Sequence, residues 1–260
     1  MSSIPRVLLV TLAAVVTLWG AGMAPPAAAA VRMTRDAGAA GVSSNWAGYA
    51  VTSTVSSYAV VSGTWVQPKA TCVRGTASYS AFWVGLGGFT AASQALEQIG
   101  TTADCSSTGK ATYSVWYELV PAPSIPVKLK LAAGSTMSAV VVVNGSSVTL
   151  RISNLTRHTV FTKRLSMTAP DVSSAEWVAE APSACNAAGR CQVLPLANFG
   201  TVTFSQAAAA TVDGVSGTIS SPAWTATPIE LVTNSAAGIG AIPGPLAPSG
   251  GFSVSWRSAA

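Results

Sequence analysis

One histidine in 260 residues removes most nucleophilic catalysis from consideration. A Ser-His-Asp triad or a Cys-His pair needs an imidazole base, and His158 sits in Asn154-Leu155-Thr156-Arg157-His158, a segment that reads as a turn entering a strand and so as surface. No G-x-S-x-G elbow, H-E-x-x-H pair, P-loop or C-x-x-C spacing occurs, so no zinc, nucleotide or other cofactor site is expected. Charge is scarce as well, at 9% of residues against a typical quarter. A fold with few carboxylate pairs has little to lose when acid protonates them, so acid tolerance is expected. What remains is carboxylate chemistry without a metal.

The first thirty residues read as a secretory signal, 1–30, with Arg6 as the positive start, Val7 to Leu18 as the apolar run and Ala28-Ala29-Ala30 as the cleavage site. Gly20, Gly22, Pro25 and Pro26 interrupt the run short of the ~20 residues a membrane span needs, and no later segment is long enough either. A secreted, extracellular protein free of the membrane after cleavage is therefore expected. Residues 31–42 carry no pattern and read as a flexible leader or short propeptide, and 43–260 as one β-domain large enough to bury a full core.

Removing Arg6 from the fourteen basic residues leaves thirteen against nine acidic, a net +4. They are scattered singly without interleaved aromatics, which gives no support to nucleic-acid binding.

Four cysteines, Cys72, Cys105, Cys185 and Cys191, suit two disulfides in a secreted chain. Pairing sequence neighbours would close loops contributing roughly 4 and roughly 2 kcal/mol, with the other two connectivities open.

Strand signals dominate. Segments 58–66, 80–86, 112–119, 127–131, 137–143, 148–152, 159–165, 174–180, 201–204 and 252–256 are rich in β-branched or aromatic residues and bounded by Gly, Pro, Asn or Ser. Asn144-Gly145 marks a hairpin and 154–156 the next turn. Only Ala207 to Ala210 suggests a helical turn, and 236–251 reads as a long loop. Many short strands without helical periodicity imply an antiparallel β-sandwich.

Glu176-Trp177-Val178-Ala179-Glu180 is the most informative stretch. On a strand, Glu176, Val178 and Glu180 share one face, and a solvated cleft accounts for two carboxylates there better than a core does. A glycosidase pair is disfavoured, because residues four apart on a strand lie roughly 13 Å apart at the backbone.

That pentapeptide is preceded by Trp83-Val84-Gly85-Leu86-Gly87-Gly88, Ala95-Leu96-Glu97-Gln98-Ile99-Gly100 and Tyr113-Ser114-Val115-Trp116-Tyr117-Glu118. Together with Ser43-Ser44-Asn45-Trp46-Ala47-Gly48 and Phe199-Gly200-Thr201-Val202-Thr203-Phe204, it resembles, in order, the glutamic peptidases or eqolisins. The resemblance implies a secreted endopeptidase that acts on polypeptide substrates, expected as a monomer, on a concanavalin-like β-sandwich (jelly roll) with a concave substrate cleft. By motif, Gln98 and Glu180 take the places of the catalytic pair, and Trp46 and Trp83 line the cleft with Glu118 and Glu176 beside them.

Such a carboxylate can deprotonate a water attacking a peptide carbonyl and then protonate the leaving amine, while the amide holds the water and the oxyanion. Acidic pH is the expected range. Fungal members carry acids where this chain has Gly87, Thr102, Ala181 and Pro182, which implies less like-charge elevation of the Glu180 pKa. The competing function is a lectin-like sandwich that binds carbohydrate or peptide without cleaving it, for which Gln98 and Glu180 together have no use.

Overall fold

Alternating β-branched and aromatic residues along almost the whole chain produce strands, and among the described residues there is no helix. The structure is a computed structural model that describes residues 33–34, 41–185, 191–232 and 238–259; the signal segment lies outside them. In chain order the strands are β1 (Met33–Thr34), β2 (Gly41–Ser43), β3 (Trp46–Thr52), β4 (Tyr58–Val66), β5 (Ala81–Gly87), β6 (Leu96–Cys105), β7 (Ala111–Val120), β8 (Ile125–Val127), β9 (Thr136–Asn144), β10 (Ser147–Asn154), β11 (Thr159–Ser166) and β12 (Ser174–Glu180). After them come β13 (Ser183–Cys185), β14 (Cys191–Val193), β15 (Thr201–Thr211), β16 (Ser216–Thr218), β17 (Thr225–Val232), β18 (Ile239–Pro243) and β19 (Phe252–Trp256).

They form two antiparallel layers. One runs β17-β3-β12-β5-β6-β7-β8. The other runs β11-β10-β9-β4-β15-β19. β18 pairs with both β17 and β19 and joins the layers at one end.

Between the layers lies the main core, in which Phe82, Val84, Ile99 and Trp177 of the first layer meet Trp65, Val141, Leu150 and Phe204 of the second. Two indole N–H groups stitch across it: Trp177 Nε1 donates to Ser62 O at 2.7 Å and Trp65 Nε1 to Thr101 Oγ1 at 3.1 Å. Buried donors satisfied in this way avoid a desolvation penalty of about 1–3 kcal/mol each.

Two disulfides, Cys72–Cys105 and Cys185–Cys191, join sequence neighbours, and among the described residues no cysteine is free.

Several local expectations change. Ala207 to Ala210 is strand, because β15 is held by β4 and β16 along that length, and a register shift between Ser205 and Ala208, with Gln206 at φ 50°, absorbs the misfit. The segment read as a long loop contains β18, and the strand expected at 127–131 is instead Ile125–Val127. Gly41 and Val42, placed in the leader by sequence, pair in parallel with Ile229 and Glu230 of β17. His158 is exposed at φ 53° in the turn before β11, as its sequence context implied. Asn154, which with Leu155 and Thr156 makes an Asn-X-Thr glycosylation pattern, is buried and donates to Lys130 O at 2.9 Å, so it is not an acceptor.

Candidate active site

The outward face of the first layer carries a second, smaller apolar cluster that includes Trp46, Trp83, Leu96, Trp116 and Val178. Strand alternation and register fix its membership. Glu180 lies opposite Trp46 of β3 and Ala81 of β5, and Glu176 opposite Ala50 and Gly85. Gly85 is opposite Gln98 of β6, which in turn is opposite Glu118 of β7. All of these residues therefore project from one face. Gly100 makes room at its centre, since a Cβ there would sit 2.3 Å from Phe82 O and 2.5 Å from Trp83 Cβ.

Glu180 is held by two donors. Asn45 Nδ2 reaches Oε1 at 3.1 Å, and Trp83 Nε1 reaches Oε2 at 2.7 Å. Trp83 is itself fixed edge-to-face against Trp46, with ring centroids 4.9 Å apart. Gln98 Nε2 donates to Glu118 Oε2 at 2.6 Å, which leaves Gln98 Oε1 buried and unpartnered. The indole N–H groups of Trp46 and Trp116 on the same face are also unpartnered. Three unfilled hydrogen-bonding positions on one face mark a place built for a polar guest.

In register, Gln98 and Glu180 are two strands and four residues apart, roughly 16 Å between backbones in a flat sheet. The Glu180 charge reaches Glu118, the residue that grips Gln98.

The face is closed rather than solvated. Gln98 is 3% exposed, Glu180 2% and Glu118 1%. Burial accordingly pushes the Glu180 pKa up to about 8, against the pull of hydrogen bonds from Trp83 and Asn45 and of the Trp46 indole nearby. The Trp46 indole makes no hydrogen bond within normal geometry, so its part is that of an oriented dipole. Glu118 is raised to about 8, first by burial and then by the Glu180 charge, with the Gln98 amide opposing. The acids missing around the pentapeptide are thus not needed for an elevated pKa; dry surroundings supply it.

Glu176 is brought to the other end of the face. It is fully buried, neither oxygen has a partner, and burial followed by the charges of Asp171 and Glu97 raises its pKa well above the usual range, with Ser174 nearby easing it without a geometrically sound bond. It stands in the structure as a neutral acid in the wall. Gly87, where fungal members carry an acid, sits at φ 83° with the position of a Cβ only 2.6 Å from Asp171 Cβ, so the carboxylate at that spot comes from Asp171 of another segment. Asp171 accepts from Ser93 Oγ and from Ser173 N, tying down the loop after β5.

Sequence reasoning missed Asn45 as a partner of Glu180, although it lies beside Trp46 in a quoted motif. It also gave Trp116 no role. Strand parity with Glu118 was the available signal.

A family model described as the Peptidase A4 family matches residues 44–238. No curated protein sequence matches the chain. Among solved structures, scytalido-glutamic peptidase with a peptide-based transition state analog is similar at a TM-score of 0.70 and 24% identity, covering 82% of this chain and 98% of that one. SCP-B, a member of the eqolisin family in complex with the tripeptide Ala-Ile-His, gives 0.67 and 24% over 82% and 98%. The aspergilloglutamic peptidase from Aspergillus niger gives 0.58 and 22% over 69% and 99%. With the family model spanning most of its length, and the β-sandwich shared with three such enzymes, the chain belongs to the Peptidase A4 family, the eqolisins, and is a glutamic-type endopeptidase.

Proposed function

We propose that this peptidase is secreted and acts as a monomer, and that Glu180 and Gln98 cleave polypeptides by activating one water between them on the acid side of neutrality. The observation that carries the pairing is the division of labour at Gln98: Glu118 fixes the amide through Nε2, which leaves a buried Oε1 with no partner except a guest. An oxygen of that kind accepts a hydrogen from water.

Glu180, in its carboxylate form, takes the second proton of that water as its oxygen adds to the peptide carbonyl. The carbonyl oxygen gains the electron pair and is met by the remaining Nε2 hydrogen of Gln98. The free indole N–H groups of Trp46 and Trp116 stand on the same face as further donors. Glu180, now protonated, gives its proton to the amine as the C–N bond breaks, which restores the pair.

Two requirements set the working pH. Glu180 must ionise to act as base, so activity rises with pH through the acid range; Glu97, Glu118 and Glu176 must stay neutral for the fold to hold, which limits activity from above. Two disulfides suit an oxidising compartment, in line with residues 1–30 as an export signal. Residues 31–42 as leader and 43–260 as the catalytic domain complete the proposal, with Gly41 and Val42 added to the domain by their pairing with β17.

Denatured casein incubated with the protein between pH 3 and 7, in the presence of pepstatin and a chelator, tests this. Cleavage peaking below neutrality is expected, with Glu180→Gln and Gln98→Ala each losing at least about a hundredfold. Retained hydrolysis in Glu180→Gln, or a peak above neutrality, overturns it.

A further inference from the structure

The outward face of the first layer changes character along β6 and β7. Around Gln98 and Trp116 every residue is buried, whereas past Gly100 the face opens: Thr102 and Asp104 are partly exposed and Thr112 and Ser114 fully so. Leu96, Gln98, Gly100, Thr102 and Asp104 alternate onto that face of β6, and Asp104 pairs with Thr112. Asp104 is thus a carboxylate at the open end. Its Oδ1 accepts from Ser80 N at 3.3 Å, next to Ala81, the residue opposite both Glu180 and Thr102.

By register Asp104 lies two residues, roughly 7 Å, beyond the level of Glu180. Side chains on one side of an extended peptide repeat at the same spacing. A substrate strand laid along β6, with its scissile bond at a water midway between Gln98 and Glu180 and so at the level of Gly100, therefore sets a side chain four residues away over Asp104.

Hydroxyls surround this carboxylate rather than cations. Burial lifts its pKa to about 6, the Thr102 hydroxyl and the Ser80 amide oppose, and no charged group contributes. Lys110 precedes β7 on the same face by alternation, diagonal to Asp104, and is the other charge to be reckoned with there.

We propose that Asp104 is a specificity residue of the peptidase, selecting substrates with a lysine or arginine about four residues from the bond that is cut. The proposal rests on the assignment of Glu180 above. A desolvated carboxylate with hydrogen-bonding capacity left over favours a cation over a neutral chain of equal length.

The test uses matched peptides carrying lysine, norleucine or glutamate at each position flanking one cleavable bond. For the wild-type chain at pH 6.5, kcat/KM is expected to favour lysine over norleucine about fivefold at the position about four residues from the bond, as a partly buried ion pair allows. The preference should shrink at pH 5, where Asp104 is protonated. Asp104→Asn, which keeps the Ser80 contact, should abolish the lysine preference and leave the norleucine peptide cut as before.

An unchanged ranking in Asp104→Asn overturns the proposal, and so does an equal loss on all three peptides, which would mark Asp104 as structural. Binding of the same peptides to Glu180→Gln, with and without Asp104→Asn, reads the preference without turnover. A failure of the catalytic assignment would then show as cleavage of these peptides by Glu180→Gln, and a failure of this one in the binding ranking.

Discussion

Raising the pH from 4.5 to 8 should unfold this protein rather than secure it. Glu97, Glu118 and Glu180 are each raised from an ordinary 4.5 to about 8, with burial as the first cause in all three, and Glu176 is raised as well. A group whose folded pKa is raised is held as its protonated form, so its stabilising contribution is complete below 4.5 and is lost as pH climbs through 8. Each such group weakens the fold by about 1.4 kcal/mol per pH unit inside that window, or about 5 kcal/mol in total. Three together approach the whole stability of an ordinary domain, 5–15 kcal/mol, so the native state should give way before all of them ionise.

Urea denaturation followed by tryptophan fluorescence at pH 4, 5, 6, 7 and 8 measures this directly, since Trp46, Trp83 and Trp116 line the face concerned. The midpoint is expected to fall steadily above pH 5. Glu97→Gln isolates one group: Glu97 Oε1 accepts from Asp171 N at 3.2 Å while Oε2 has no partner, and the residue takes no part in the proposed chemistry. Its slope against pH should be shallower by about 1.4 kcal/mol per unit. A midpoint that is flat or rises between pH 5 and 8 would refute the argument, because it would mean that these carboxyls ionise in the folded state without cost.

Asn45→Ala removes a hydrogen bond that favours ionised Glu180; the Glu180 pKa should rise further, and the acid limb of the kcat/KM profile should move to higher pH, as read by initial rates on a short peptide. Gly100→Ala forces a Cβ against Phe82 O and Trp83 Cβ, both in the packed sheet, and should cost about 2–3 kcal/mol in urea denaturation together with most of the activity, because Trp83 holds Glu180.

How far the sequence reached can be judged strand by strand. Residues 58–66, 174–180 and 252–256 were legible to the residue, because their β-branched and aromatic alternation is strong and their ends are marked by turn formers. β6 was not delimited: Leu96–Cys105 mixes Glu, Gln, Gly and Thr, and it is a strand because β5 and β7 pair with it on either side. Ala207 to Ala210 failed for the same reason, local propensity giving way to the pairing partner.

The candidate site divides along the same line. The order of motifs, the all-β class and the shared face of Glu176 and Glu180 follow from residue type and the two-residue period of a strand, which are local properties. Which face of that strand looks outward, which tryptophans join it, and that Glu118 grips Gln98 depend on partners up to 135 positions away, such as Asn45 on Glu180. Dryness was the largest surprise: exclusion of water, a property of the packed layer as a whole, sets the charge state of four glutamates that the sequence could only place in line.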